Sequence, residues 1–280
     1  MPSRPFQVHF LKGGPMRIVG ERINTSRKLV NEAVGKRDAA YVADDAKKQA
    51  EAGAHFIDVN AGSRIGSEMD DIAWLMEIAE GAVETPLSLD SPDPKVLLAM
   101  SKKAKKKPMI NSTTAERPRF EQMKPVFQER EIDIVALCVD ERGIPNSMDQ
   151  ALGNASFLVK NLTQMGIPLQ NIHLDPMIQP ISVSKDNGLQ ALETIRRLHL
   201  EFPGVQTICG LSNVSYGLPN RFLIDRTFLV LCLGAGLDGA IIDPLDKKMM
   251  TNIVVAETLA GKDDYCMKYL KANRAGTLVG

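Results

Sequence analysis

Eight short apolar segments alternate with eight amphipathic segments along almost the whole chain. The apolar segments are rich in β-branched residues, which is typical of buried strands. Strands are therefore predicted at 17–22, 55–60, 87–90, 109–111, 132–139, 172–174, 207–211 and 239–243. Each is followed by a predicted helix, at 38–51, 66–82, 94–106, 116–129, 147–165, 184–202, 219–233 and 247–260.

Apolar strands that are separated by helices predict a parallel sheet covered by those helices. Eight repeats of the unit predict a closed (β/α)8 barrel, the TIM-barrel fold. An open doubly wound sheet is the alternative, but it usually has fewer strands, and the chain shows neither a glycine-rich first turn nor a change of pattern between its halves. Because such barrels reach ~250 residues as one unit, residues 1–280 are expected to form a single domain.

The charge balance and the cysteines argue against several partners and sites. Lys plus Arg and Asp plus Glu are equal at 34 each, so no global field would attract nucleic acid. The four cysteines are far apart, without a Cys-x-x-Cys pair or a neighbouring histidine, which argues against a zinc site and a disulfide framework. A reducing cytoplasm is the expected location.

No segment predicts membrane insertion or export. The longest apolar run, 227–236, follows Asp225 and Arg226, and the N-terminus MPSRPFQVHF lacks the sustained apolar core of a signal peptide. The protein is therefore expected to be soluble and not exported, with no membrane partner.

Polar side chains stand at or just beyond the carboxyl ends of the predicted strands, which converge at one mouth of such a barrel. They are Glu21, Arg22, Asn24, Asp58, Asn60, Arg64, Asp90, Asn111, Ser112, Asp140, Asp175, Asn213 and Asp243. A single aspartate in such a position is more often a helix cap or a loop residue than a ligand. Asp58 and Asp243 are interpreted in that way.

Four of these residues differ from the others, because each ends an otherwise apolar strand and a separate capping candidate follows. They are Asp90, Asn111, Asp175 and Asn213. Their amide and carboxylate groups are predicted to face one cavity. Such a cavity suits a flat, neutral heterocycle, because a carboxylate can accept two parallel hydrogen bonds from an amino group and an adjacent ring N–H, the edge that a pterin presents.

The stretch 206–221, QTICGLSNVSYGLPNR, is predicted to run from a strand through a polar turn into a helix whose first turn contains Pro219. The turn 210–215 has two interpretations. Either Ser212, Asn213 and Ser215 cap the following helix, or the turn binds a ligand.

Other barrel chemistries are poorly supported. No lysine ends a strand, so a Schiff base is not expected, and the four histidines are not spaced as metal ligands. Cys138 and Cys209 lie within strands and are predicted to be core residues. No metal is expected to be bound by this chain.

Six motifs carry a specific resemblance to a known family. They are VGERIN at 19–24, DVNAG at 58–62, LDS at 89–91, INS at 110–112, LDP at 174–176 and GLSNVSYGLPNR at 210–221. Together they resemble the pterin-binding-fold methyltransferases, which move a methyl group between methyltetrahydrofolate and a corrinoid protein. These include the methyltransferase of the corrinoid iron-sulfur protein of acetogens and the folate domain of cobalamin-dependent methionine synthase.

The resemblance implies a role for each matching residue. The aspartate of LDS, the asparagine of INS and the aspartate of LDP bind the pterin ring in that family, and the asparagine of GLSN reaches the methyl-bearing nitrogen. The implied folate-binding residues are Asp90, Asn111, Asp175, Gly210, Ser212, Asn213 and Arg221. Asn213 is also the implied catalytic residue, and the role of Tyr216 stays open.

The implied substrate is methyltetrahydrofolate or tetrahydrofolate, and the implied methyl acceptor or donor is a corrinoid (cobalamin). Because the chain has no Asp-x-His-x-x-Gly corrinoid motif, the corrinoid is expected on a separate partner protein. Arg22, Arg64 and Arg221 are predicted to meet the glutamate tail of the folate, the alternative being surface salt bridges.

A homodimer is predicted from the seventh predicted helix. Its segment 228–233 is apolar on almost every side, whereas an outer barrel helix needs only one apolar stripe. The resemblance also implies a dimer.

Two alternative functions remain. One is a dihydropteroate synthase, which shares the barrel and the pterin slot, although its Ser-Thr-Arg-Pro loop and its pyrophosphate-binding Lys and Ser-x-Arg groups are not visible here. The other is a folate carrier or regulatory module without catalysis.

Overall fold

A computed structural model describes residues 14–280, and eight parallel strands in it close into a barrel in sequence order. The strands are β1 (Arg17–Asn24), β2 (Phe56–Asn60), β3 (Leu87–Asp90), β4 (Met109–Thr114), β5 (Asp133–Leu137), β6 (Ile172–Asp175), β7 (Gln206–Gly210) and β8 (Gly239–Ile242). The first strand pairs with the last, Val19 lying opposite Ile241. The predicted barrel fold is therefore confirmed.

Ten α-helices accompany these strands within the described residues. They are α1 (Lys28–Lys36), α2 (Ala39–Glu51), α3 (Glu68–Ala82), α4 (Pro94–Lys103), α5 (Arg117–Glu129), α6 (Met148–Gln164), α7 (Asn187–Glu201), α8 (Arg221–Gly234), α9 (Lys247–Leu259) and α10 (Met267–Arg274). None of the helices described between residues 14 and 280 is both long and apolar enough to cross a membrane.

The inside of the barrel is filled by an apolar plug. Val19, Phe56, Met109, Val135 and Ile208 form this cluster, one residue from each of five strands. The residues that alternate with them along the strands, such as Ile57 and Ile134, pack outward against the helices, because successive strand side chains point to opposite faces. The plug therefore forms the floor of any site at the carboxyl ends of the strands.

A polar network closes the opposite, amino-terminal end of the barrel. The Asp133 carboxylate pairs with Arg17 at 3.1 Å, with Lys107 at 2.7 Å and with the ring of His173 at 3.1 Å. Although burial acts to raise it, the hydrogen bonds from His173 and Lys107 hold the pKa of Asp133 below its ordinary value. This network lies at the end of the barrel that usually supports stability rather than chemistry.

The structure differs from the predictions mainly at loops and helix ends. α1 lies in a segment that was not predicted to be helical, and α10 follows the last predicted helix. α8 begins at Arg221, so the placement of Pro219 in its first turn is wrong; Asn220, with a φ of 51°, precedes the helix instead. His9, one of the four histidines of the metal-ligand prediction, and the N-terminus MPSRPFQVHF of the export prediction lie outside the described residues.

Candidate active site

Three polar side chains lie side by side at the ends of β2 and β3 and at Asn111 of β4, which continues to Thr114 beyond its predicted end. Asn60 lies opposite Asp90, and Asp90 lies opposite Asn111, in the register of the sheet. The Asn60 amide donates to Asp90 Oδ2 at 2.7 Å, while its own oxygen accepts from the Gly62 N–H at 2.9 Å. Asn60 therefore fixes one oxygen of Asp90, and the other oxygen makes no hydrogen bond to residues 14–280.

Asp58 lies one inward position below Asn60, directly above the plug. Its side chain is buried, accepts a 2.7 Å hydrogen bond from the Ser88 hydroxyl and accepts a longer one, 3.4 Å, from the Asn111 amide. Asp58 is thus a strand residue of the site, and its interpretation as a helix cap or loop residue is wrong. The Asn111 amide nitrogen faces Asp58, so its oxygen is available to a ligand.

Burial changes the acidity of both carboxyl groups on this side. It raises the pKa of Asp90 to about 6, and it raises the pKa of Asp58 well above the ordinary value, with the charge of Asp90 adding to the effect. Carboxyl groups this close and this buried cannot all carry a charge at neutral pH. The site therefore carries fewer negative charges than its residues suggest, in keeping with a neutral ligand.

Asp175 ends β6 across the barrel from this group. Burial raises its pKa to about 7, and the N–H groups of Met177 and Gly210 act in the opposite direction. The Met177 N–H donates to Asp175 Oδ1 at 2.7 Å. Because the Gly210 N–H acts on the Asp175 carboxyl through a hydrogen bond, this carboxyl lies beside the start of the loop that follows β7.

That loop is a 3-10 helix, Leu211–Ser215, and it carries Asn213 with its side chain exposed. Within residues 14–280 the Asn213 amide makes no side-chain hydrogen bond. The interpretation of Ser212, Asn213 and Ser215 as caps of the next helix is wrong, because no side chain caps α8. A polar turn that does not cap its helix is free to present Asn213 at the barrel mouth.

A search with models of known families matches residues 20–243 to the family described as pterin binding enzyme. The chain belongs to the pterin-binding enzymes. A methylcorrinoid:tetrahydrofolate methyltransferase of Eubacterium limosum is 35% identical over 94% of this chain and 98% of that relative. Methionine synthase of Mycobacterium tuberculosis is 29% identical over 84% of this chain, which spans only 21% of that longer protein. The predicted family is confirmed.

Solved structures of pterin-binding enzymes share the fold at low sequence identity. Dihydropteroate synthase from Vibrio fischeri has a TM-score of 0.68 and 16% identity, covering 89% of this chain and 94% of that one. The Yersinia pestis enzyme has a TM-score of 0.66 and 15% identity, covering 88% and 93% of the two chains. These likenesses support the barrel and carry no information about the reaction.

The three arginines that were predicted to meet the folate tail in this pterin-binding barrel fall into two groups. Arg22 pairs with Asp45 at 2.9 Å and Asp243 at 2.8 Å, and Arg64 pairs with Asp71 at 2.5 Å. These contacts favour the salt-bridge alternative for both residues. Arg221 instead donates to the Ser212 carbonyl at 2.5 Å and the Ser215 hydroxyl at 3.0 Å, so it ties the Asn213 loop to the first turn of α8.

Glu21 brings a further titratable group to the mouth. Burial raises its pKa to about 7, while the nearby charges of Arg27 and Asp243 act in opposite directions. It stands at a bulge of β1, where the pairing with β2 shifts between Gly20 and Ile23. The strand-end pattern had placed Glu21 at the mouth but gave no sign of its burial.

Sulfur and metal chemistry find little support in the described part of the chain. Cys138 and Cys209 are fully buried in the core, as predicted, and burial raises the pKa of the Cys138 thiol. Among residues 14–280, no group of three or more His, Cys, Asp or Glu side chains is arranged to hold a metal ion.

Proposed function

We propose that the protein transfers a methyl group between methyltetrahydrofolate and the cobalt of a corrinoid carried by a separate protein. In the direction away from folate, the bond between the methyl carbon and the folate nitrogen breaks. The electron pair of cob(I)alamin forms the new cobalt–carbon bond, and the nitrogen takes the electron pair of the broken carbon–nitrogen bond together with a proton. The products are tetrahydrofolate and methylcob(III)alamin.

The observation that carries this proposal is a set of acceptors at the carboxyl-terminal side of the barrel together with one exposed amide. Asp90 and Asn111 lie opposite each other on β3 and β4, Asp175 ends β6, and Asn213 lies on the 3-10 helix that follows β7. The name of the Eubacterium limosum relative, which matches 94% of this chain, supports a methyl transfer between a corrinoid and tetrahydrofolate.

The three ring-binding residues have distinct roles in the proposal. Asp175 accepts two parallel hydrogen bonds from the amino group and adjacent ring N–H of the pterin. Asp90 offers the oxygen that Asn60 leaves free, and Asn111 offers its amide oxygen. Such short, paired contacts fix the ring plane, so that the methyl-bearing nitrogen comes to one place.

Asn213 acts on the leaving nitrogen. A tertiary amine is a poor leaving group because its nitrogen would depart as an anion, so it must be protonated or strongly hydrogen bonded as the bond breaks. An amide can donate but cannot ionise, and its hydrogen bond strengthens as charge builds in the transition state. The proton itself is supplied through water.

Gly210, Ser212 and Arg221 shape the loop that carries Asn213. Gly210 has nothing within 4 Å of the position a Cβ would take, so a ligand has room to approach the backbone there. Arg221 fixes the Ser212 carbonyl through one guanidinium nitrogen. In the proposal this holds the loop over the pterin, and the remaining donor capacity of Arg221 meets the folate tail.

The proposal is tested by mixing the protein with methyltetrahydrofolate and free cob(I)alamin under anaerobic conditions and following the cobalamin spectrum. The protein is expected to convert cob(I)alamin to methylcob(III)alamin with multiple turnovers. A parallel assay with a dihydropterin pyrophosphate and p-aminobenzoate tests the dihydropteroate synthase alternative. Folate binding without any turnover in either assay would favour a carrier module.

The pH dependence of folate binding follows from the buried carboxyls. In the free protein the pKa of Asp175 is about 7, whereas N–H donors of a bound pterin favour the ionised form. Affinity is therefore expected to be full above pH 7 and to fall as pH drops through 7, approaching about tenfold per unit below it. Calorimetry in two buffers of different ionisation enthalpy should show proton release on binding. Equal affinity at pH 8 and pH 6 would contradict the assignment.

We also propose a homodimer formed through α7 and α8. Within 228–233 only Leu231 is exposed, but the apolar surface continues onto Leu189, Phe222 and Leu223, whose exposed fractions are 70%, 67% and 64%. A groove of about 480 Å³ is lined by Leu189, Leu223 and Leu231. Apolar surface of this kind is usually covered.

Light scattering is expected to give the mass of a dimer at micromolar concentration. Leu223→Glu, which places a charge on this surface, should shift the protein to a monomer. Leu29→Glu in α1 makes the same change at another exposed leucine and should leave the dimer intact. A wild-type monomer would count against the interface. The single 1–280 domain and the cytoplasmic location stay predictions.

A further inference from the structure

Arg119 joins the loop that follows Asp90, at the end of β3, to the part of β4 just beyond Asn111. It lies in the first turn of α5, and the sequence pattern gave no reason to select it. One guanidinium nitrogen donates to the Pro92 carbonyl at 2.6 Å, and the other donates to the Ser112 carbonyl at 2.8 Å. Pro92 lies two residues beyond Asp90, and Ser112 follows Asn111 directly.

The position of this bridge is informative because the pairing of β3 with β4 ends there, although β4 continues beside β5. The pairing of β3 with β4 stops at Asp90 opposite Asn111, and the bond from the Ser91 N–H to the Asn111 carbonyl, 3.1 Å long, is the last backbone contact between them. Beyond that point the described backbone makes no further hydrogen bonds between β3 and β4. There the planar guanidinium of Arg119 donates to two carbonyls at once and so connects the loop after β3 to β4. The compact ammonium group of a lysine cannot reproduce this two-pronged geometry.

We propose that Arg119 is a positioning residue, which sets the separation and orientation of Asp90 and Asn111 for a pterin ring by holding the Pro92 and Ser112 carbonyls together. This inference rests on the proposed folate function. It makes no claim that Arg119 touches the ligand or the reacting atoms.

The charge of Arg119 gives the role a second consequence. Asp90 is faced by Asp58 and Asn60 from β2, by Glu68 from α3, by Asn111 from β4 and by Arg119 from α5, and Arg119 is the cation in this set. Arg119 is itself faced by Glu116 and Asp93, and burial lowers its pKa below the ordinary arginine value. Its charge therefore favours ionised Asp90, which can accept from a pterin.

Arg119→Met and Arg119→Lys separate the two contributions, and Arg117→Met is the matched control. Arg117 lies in the same helical turn, but its guanidinium stacks 3.8 Å from the Phe157 ring centre and does not donate to the Pro92 or Ser112 carbonyl. The readout is methyltetrahydrofolate affinity by calorimetry between pH 6 and pH 8, which needs no corrinoid. Thermal unfolding of each variant checks that it is folded.

Arg119→Met is expected to weaken binding by about tenfold or more at pH 8 and to make the affinity fall more steeply between pH 7 and pH 6, because the raised pKa of Asp90 adds a second protonation to that of Asp175. Arg119→Lys keeps the charge, so its affinity should fall with pH no more steeply than that of the wild type, while remaining below it. Arg117→Met should match the wild type at every pH.

Three results would overturn the inference. If Arg119→Met binds methyltetrahydrofolate as tightly as Arg117→Met at every pH, the inference is contradicted. Arg119→Lys with wild-type affinity throughout shows that the two-carbonyl fork is not required, and it decides the matter if the methionine variant does not fold. A wild-type protein that binds no folate overturns both the proposed function and this inference, whereas the first two results leave the proposed function standing.

Discussion

Asn213→Ala is expected to slow methyl transfer by roughly two to three orders of magnitude while weakening methyltetrahydrofolate binding only modestly. The Asn213 amide is exposed on the 3-10 helix after β7 and has no side-chain hydrogen bond within residues 14–280. Its removal therefore leaves no buried partner without a hydrogen bond, and the variant should fold. The loss falls on the step in which charge develops at the leaving nitrogen.

The measurement is a single-turnover rate with saturating folate and cob(I)alamin, alongside an equilibrium binding constant. Asn146→Ala provides a matched control, because Asn146 is an exposed asparagine in the β5–α6 loop at the same end of the barrel. It should transfer methyl at the wild-type rate. If Asn213→Ala does so as well once saturated, Asn213 has no role in the chemical step.

Asp175→Ala is expected to weaken folate binding by about 30- to 1000-fold, from a loss of about 2 to 4 kcal/mol. The substitution removes a buried acceptor and leaves the facing N–H groups of the ligand, together with the Met177 N–H, without a partner. Because these bonds form in the ground state as well as the transition state, the rate at saturation should change less than the affinity.

Asp140→Ala is the control for this loss. Asp140 stands beyond the end of the neighbouring strand, but Arg142 pairs with it at 2.5 Å and holds its pKa down, at about 2. It should bind folate nearly as well as the wild type. Equal affinities of Asp175→Ala and wild type, measured by calorimetry at pH 8, would remove Asp175 from the pterin site.

The sequence alone predicted the barrel because its evidence is local. Each buried strand is a short apolar run, and each helix shows its own period, so eight repeats of the unit identify the closed sheet. The same reasoning put Asp90, Asn111 and Asp175 at one mouth, because parallel strands bring their carboxyl ends together. The α1 helix escaped detection because only Val30, Ala33 and Val34 in it are buried.

The supporting groups of the site could not be predicted, because they depend on contacts between strands and loops far apart in sequence. Asn60 reaches Asp90 across thirty positions, and Arg119 joins the loop after β3 to β4 through backbone carbonyls, which no side-chain pattern encodes. Asp58 shows the same limit: a strand-end aspartate looks like a cap until the register places it above the plug. The carboxylate partners of Arg22, Asp45 and Asp243, could not be predicted from the sequence for the same reason.

Methyl transfer between folate and cobalt is tested most directly with methyltetrahydrofolate labelled in its methyl group. The wild-type protein, in excess over labelled substrate, is mixed anaerobically with cob(I)alamin, and both products are separated and assayed for the label. The label is expected on cobalt in one-to-one yield with unlabelled tetrahydrofolate, at a rate that Asn213→Ala reduces and Asn146→Ala does not. Label that stays on the folate, although the protein binds it, would contradict the proposed function.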